Sequence, residues 1–376
     1  MQNVRKKSLL NFDNDNNSSG FYPLFLGEDL GFADEINITY PEIDRIYKKQ
    51  RSAYWLEDEF SFEQDRVDLL EAPEYERDVM VLNLLAQWAL DSLASRSIIE
   101  TFGPFISNNE LHNWFLVQTY FESVHAATYS KIIRNCFVDG NDVLERGKKN
   151  LEVFGRCKSI AQVFQTLNRV GAEYTLGLFG RNEEEIRIIK GIILKGVAAL
   201  YGLEQISFMS SFACTFALVE SGRYQGIGKA VGSILADEAF HSEGDGIVFG
   251  SMFKESEYGA IFEENKADIN TIFDDIVQQE YNWAEYVFSE GRKVLGLNEA
   301  LLKEYAAWSS IQCYQTLGLE WDVERFGEQP KQNPLPFMDH YFDRDSIQNA
   351  NQEIENNNYR VGQVEDDIMD DEIFDF

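Results

Sequence analysis

Residues 122–129 read ESVHAATY and residues 237–241 read DEAFH, and these two stretches decide the fold. Each contains Glu-x-x-His: Glu122 with His125, and Glu238 with His241. Three residues of α-helix turn the chain by about 300° and advance it by about 4.5 Å, so the carboxylate and the imidazole of each motif share one helix face. One such motif is usually a solvated glutamate near a histidine. Two carry more weight, because each is preceded by an acid set in an apolar stripe: Asp91 stands 31 residues before Glu122, and Glu204 stands 34 before Glu238.

Four carboxylates turned inward cannot stay ionised without counter-charge, because each buried ion costs several kcal/mol and like charges force protonation. Two divalent cations restore neutrality. An acid from each of two helices and Glu-x-x-His from two others is the ligand set of a four-helix bundle that carries a dinuclear carboxylate centre. The six candidate ligands are Asp91, Glu122, His125, Glu204, Glu238 and His241. Oxygen and imidazole donors without thiolate argue against structural zinc and for iron or manganese. His-x-x-x-His is missing, so the two glutamates read as ligands and not as the general base of a zinc protease.

Working outward, the flanking sequence supports an all-α fold. No proline occurs in the 225 residues from 105 to 329. Within that stretch apolar residues recur at three and four, as in Ile193, Val197, Leu200, Phe208 and Phe212, and strand-type alternation is nearly absent. Helix breaks are predicted at Gly103-Pro104, Asp139 to Asn141, Gly180 to Asn182, Ser221-Gly222 and Gly296. Residues 1–342 read as one helical domain whose first twenty residues are expected to be mobile. Residues 343–376 pass from an Asn-rich linker to an acidic end and are expected to be unfolded in isolation. Ile368, Met369, Ile373, Phe374 and Phe376 punctuate that end, which suits a segment that orders by placing apolar anchors in a partner's groove. The other reading is a solubilising tail.

With 376 residues and 44% hydrophobic content, the chain can bury a large core, and 51 aromatic residues can supply much of it. A net charge of −31 repels phosphate backbones and anionic headgroups, so nucleic acid and membrane surfaces are poor partners and neither is expected. The four cysteines lie far apart, which fits a reducing cytosol, and neither an export signal nor a membrane span is expected.

Tyr129 lies four residues after His125, one turn along the same face. Spacing leaves two readings open: a hydrogen-bonded core tyrosine, or a phenol beside the metals. Phe208, Phe212 and Ile234 are likewise either a dry wall around the centre or ordinary packing.

The pattern Asp91, Glu122-x-x-His125-x-x-x-Tyr129, Glu204 and Asp237-Glu238-x-x-His241, with SFACTFA after Glu204, resembles the small, radical-generating (beta) subunit of class I ribonucleotide reductase. The resemblance runs from about Trp55 to Tyr359. It implies a ferritin-like bundle with extra flanking helices, in which the six ligands bind two irons as an oxo-bridged pair, manganese being the alternative metal. It further implies that Tyr129 holds a stable radical formed with dioxygen, in a pocket of Phe208, Phe212 and Ile234. The radical would travel through Asp237, Trp55 and Tyr359, with Glu353 assisting, to the large (alpha) subunit, where ribonucleoside diphosphates are reduced. The implied assembly is a cytoplasmic homodimer that docks through its C-terminal tail. One departure stands out: a bacterial branch has tryptophan four residues before the first Glu-x-x-His glutamate, where this chain has Gln118. An amide can still hydrogen-bond a metal carboxylate there.

Two rivals share the ligands. Iron storage needs neither Tyr129 nor a docking tail, and an oxygenase or desaturase needs a substrate channel to the metals. A purely structural protein does not account for six ligands in register.

Overall fold

The computed structural model describes residues 8–14 and 22–342. Fourteen α-helices are described: α1 (Pro41–Ser52), α2 (Glu63–Glu71), α3 (Glu74–Phe102), α4 (Asn109–Cys136), α5 (Gly140–Gly147), α6 (Leu151–Gly155), α7 (Lys158–Thr175), α8 (Glu183–Gly202), α9 (Met209–Val219), α10 (Gln225–Met252), α11 (Tyr258–Val287), α12 (Glu299–Leu317), α13 (Val323–Phe326) and α14 (Asp339–Phe342). Among the described residues there is no strand, only the isolated bridges Phe25–Ile106 and Val294–Leu297. Every predicted break falls at or beside a helix end. The proline-free stretch is more divided than its periodicity suggests: the short helices α5 and α6 intervene, and Asp139 caps α5 by accepting from the Asp142 amide at 2.9 Å.

Long helices α3 and α4 pack along each other, α8 and α10 close the bundle, and α7, α9, α11 and α12 cover it. Helix starts follow capping chemistry: Asn108 accepts from the Leu111 amide at 2.9 Å to open α4, and Asn182 accepts from the Glu185 amide at 2.9 Å to open α8. One apolar core runs from Leu24 to Met338, and ring pairs such as Phe102–Phe115, 4.9 Å between centroids, fill the space between α3 and α4.

Two local features aim the site. Between α8 and α9 the chain makes a π-helical turn at Leu203–Ser207, which contains Glu204. Such a turn inserts one residue into the helical ladder and rotates the downstream helix relative to the upstream one. Hydrophobic periodicity gives no sign of it, so residues 193 to 212 read as one helix from sequence. The second feature is the start of α10. Tyr224 adopts φ 59°, and its amide donates to Asp68 at 2.9 Å while its hydroxyl donates to Glu76 at 2.9 Å. The Ile227 amide donates to Asp65 at 2.8 Å, so acids of α2 satisfy the first turn of α10. Gly226 is required at this approach, because a Cβ there would lie 2.4 Å from the Ser61 carbonyl oxygen. These contacts fix where α10 begins, and therefore which face carries Glu238 and His241.

Candidate metal centre

Asp91 comes from α3, Glu122 and His125 from α4, Glu204 from the π turn, and Glu238 and His241 from α10; all six are fully buried. Donor atoms of Asp91, Glu122, His125 and Glu238 lie within 4.8 Å of one another, and so do those of Glu122, Glu204, Glu238 and His241. Glu122 and Glu238 belong to both groups, so the geometry is two adjoining sites that share two carboxylates. His125 Nδ1 faces Glu238 Oε1 at 3.1 Å, and His241 Nδ1 faces Glu122 Oε1 and Glu238 Oε2, each at 2.9 Å.

The electrostatics of the cluster call for cations. Burial and the Glu122 charge push the Asp91 carboxyl well above the usual range, and burial and the same charge do so to Glu204. Burial opposes charge on the histidines, yet the surrounding carboxylates override it and raise His241 to about 10. His125 is raised well above its ordinary value against burial, chiefly by Glu238. No donor reaches either oxygen of Asp91, or Oε2 of Glu204. Buried acceptors without donors are costly, and a pair of divalent ions, which accept these oxygens as ligands, satisfies them. The donor set fits a dinuclear metal centre.

Behind His125 runs a hydrogen-bonded line. His125 Nε2 lies 3.0 Å from Asp237 Oδ2, the Trp55 indole donates to the same oxygen at 2.7 Å, and Gln50 donates to Oδ1 at 2.8 Å. The Trp55 and His125 rings stack, with centroids 5.8 Å apart. A carboxylate on the outer nitrogen fixes the ring's orientation and leaves Nδ1 for a metal. Trp55 is 7% exposed, so the line leads from the centre almost to the surface.

Tyr129 is fully buried and its hydroxyl has no hydrogen-bond partner; burial, then Asp91, Glu238 and Glu122, raise its pKa. Phe208, Phe212 and Ile234 are fully buried as well, and the first two rings stack at 5.8 Å. A cavity of about 490 Å³ is lined in part by Gln205, Glu238, Ser242, Trp308 and Gln312. Tyr359 and Glu353 lie outside the described residues, as does the whole of the expected tail.

Sequence reasoning missed four residues around the site: Asp245, Gln50, Arg156 and Glu280. Asp245, one turn beyond His241, accepts from the Trp114 indole and the Gln118 amide of α4, and burial pushes its carboxyl up to about 7. Its position four residues after a ligand was the available signal. Gln50 carried none. Neither did the buried pair Arg156–Glu280, at 2.7 Å, whose guanidinium also donates to the Ser207 carbonyl at the end of the π turn.

The family model described as "Ribonucleotide reductase, small chain" matches residues 34–334. The chain is 30% identical over 366 residues to the ribonucleoside-diphosphate reductase subunit beta of Haemophilus influenzae, covering 94% of this chain and 95% of that one. It is 24% identical to the corresponding subunit of Enterobacteria phage T4, over 93% of this chain and 94% of that one. Among solved structures, the ribonucleotide reductase R2 subunit from Clostridium botulinum superposes with a TM-score of 0.75 at 20% identity, covering 90% of this chain and 99% of that one. The dimanganese(II)-NrdF of Streptococcus sanguinis gives 0.66 at 15% identity, covering 82% of this chain and 98% of that one. The ferritin-like helical fold, the paired carboxylate sites and the family match over most of its length agree: the chain belongs to the ribonucleotide reductase small chains, the beta subunits of ribonucleoside-diphosphate reductase.

Proposed function

We propose that this beta subunit holds two iron ions between Asp91, Glu122, His125, Glu204, Glu238 and His241, and stores an oxidising equivalent as a radical on Tyr129. When bound, the metal pair supplies, together with dioxygen, the oxidising chemistry that removes an electron from a phenol. The chain's own residues do the rest. Burial and the Asp91 charge keep the Tyr129 hydroxyl protonated until it is oxidised. Phe208, Phe212 and Ile234 keep water and reductants from the ring. Glu122 and Glu238, which belong to both donor groups, would contribute oxygens to both ions, and Asp237 fixes the His125 ring.

Trp55, Asp237 and His125 form the inner half of the radical-transfer route, joined by the 2.7 and 3.0 Å contacts at Asp237. Tyr359 and Glu353 carry it onward to the large subunit, where ribonucleotides become deoxyribonucleotides. The tail from residue 343 docks that partner. The chain works as a cytoplasmic homodimer, a reading supported by the exposed apolar residues Leu116 and Tyr120, one turn apart on α4, with Tyr54 stacked on Tyr120 at 6.2 Å.

The observation that carries the radical reading is the fully buried Tyr129 hydroxyl, without a partner, one turn from His125. Low-temperature electron paramagnetic resonance after anaerobic ferrous loading and exposure to air tests it. A tyrosyl signal is expected in the parent and its loss in Tyr129→Phe, with iron content unchanged. An unchanged signal in the variant removes Tyr129 from this role.

A further inference from the structure

Gln118 uses both hydrogens of one amide nitrogen on carboxylates: Nε2 donates to Glu204 Oε1 at 3.0 Å and to Asp245 Oδ2 at 3.2 Å. The second oxygen of Asp245 accepts from the Trp114 indole at 3.2 Å. All four side chains are fully buried. Trp114 reaches Asp245 because α10 carries Gly244 there; a Cβ at that position would lie 2.1 Å from the indole ring. The amide's orientation follows from chemistry, since a flip would set its oxygen against two carboxylates. Glu204 is thereby held by Oε1, and Oε2, which no donor reaches, is left for the cluster. Asp91, the corresponding acid of the other site, has no such support.

We infer that Asp245 is a positioning residue for one of the two metal sites: it anchors the Gln118 amide, which in turn holds Glu204 so that its free oxygen faces the ion bound with Glu122, Glu238 and His241. This rests on the two-metal reading above and adds a dependence confined to the Glu204 side. Asparagine at 245 tests it sharply. Asp245 meets two donors with two acceptor oxygens, whereas asparagine has one acceptor, so either Trp114 or Gln118 must face an NH2 group. If Gln118 turns to accept from it, the Gln118 oxygen also meets Glu204 and displaces it.

The experiment is Mn(II) titration of the full, chelator-stripped chain, with free Mn(II) counted by electron paramagnetic resonance and folding checked by melting temperature. The parent is expected to bind two ions per chain. Asp245→Asn should leave the first ion unchanged and weaken the second by about tenfold or more, the usual effect of losing a partner behind a metal ligand. Trp114→Phe combined with Asp245→Asn should restore the second ion, because without the indole donor the single asparagine oxygen is free for Gln118. Gln118→Leu should reproduce the selective loss if Asp245→Asn does not fold. Second-ion affinity equal to the parent's in Asp245→Asn overturns the inference, as does a loss that spreads to both ions or that Trp114→Phe fails to relieve. A parent that binds fewer than two ions overturns the two-metal reading itself, and this inference with it.

Discussion

At the scale of single residues, the centre is a set of acids and imidazoles whose proton affinities are shifted by burial and by one another. The sign of the resulting pH dependence is set by linkage. Asp91, Glu204 and Asp245 carry folded-state pKa values above those of an unfolded chain, so each binds more protons folded than unfolded as pH rises above about 4. Both histidines are raised too, so their contribution is complete below about pH 6.5 and, for His241, is lost as pH rises through about 10. Glu238 is depressed, against burial, by His125 and His241, so its contribution is present above the ordinary glutamate range and is lost as pH falls. The metal-free protein is therefore expected to lose melting temperature steadily between pH 6 and 10, while the metal-loaded protein, whose ions replace those protons, keeps a flat profile. Differential scanning calorimetry with and without chelator measures both. Parallel profiles would mean that the cluster is not where metal binds. The clustering of the six candidate ligands was legible in the sequence because helical spacing converts directly into shared faces. Asp245 and Gln50 were not, because a hydrogen bond between helices leaves no period behind.

At the scale of elements, the π turn at Leu203–Ser207 and the buried Arg156–Glu280 pair belong together. Arg156 grips Glu280 through Nε and Nη2, at 2.9 and 2.7 Å, stacks over Trp283, and donates to the Ser207 carbonyl. The bond to Ser207 ties the end of the turn that presents Glu204 to α11, which packs against that turn. Arg156→Met leaves Glu280 buried without its partner, and breaking such a pair costs about 3–5 kcal/mol. Urea unfolding is expected to show that loss, with a smaller one in Arg156→Met combined with Glu280→Leu. A double variant less stable than the single would contradict this reading of the pair. The helices α3, α4 and α10, which carry five of the six candidate ligands, were readable because apolar residues of 3.6-residue period surround each acid. The π turn was not, because inserting one residue changes hydrogen-bond register without changing hydrophobicity, so Phe208 and Phe212 look continuous with Ile193 and Val197. The α2 acids that cap α10 were also hidden, since Asp65 and Asp68 resemble any charged helical residues until Tyr224 and Ile227 are placed against them.

At the scale of the whole molecule, the proposed function divides the work between the helical body and the acidic sequence that follows residue 342. Among the described residues no helix is long and apolar enough to cross a membrane. The net charge of −31 sets up a field that repels other anionic surfaces. Removing residues 343–376 is expected to leave metal binding intact and the sedimenting mass at that of a dimer, while abolishing ribonucleotide reduction with the large subunit. Reduction that persists after truncation would deny the tail its docking role. Beneath all of this lies the claim that six buried side chains enclose two metal ions, and anomalous diffraction from crystals of the full chain grown with Fe(II) addresses it most directly. Two iron peaks are expected, one among Asp91, Glu122, His125 and Glu238 and one among Glu122, Glu204, Glu238 and His241. A single peak, or iron bound elsewhere with these six residues uncoordinated, would contradict the account.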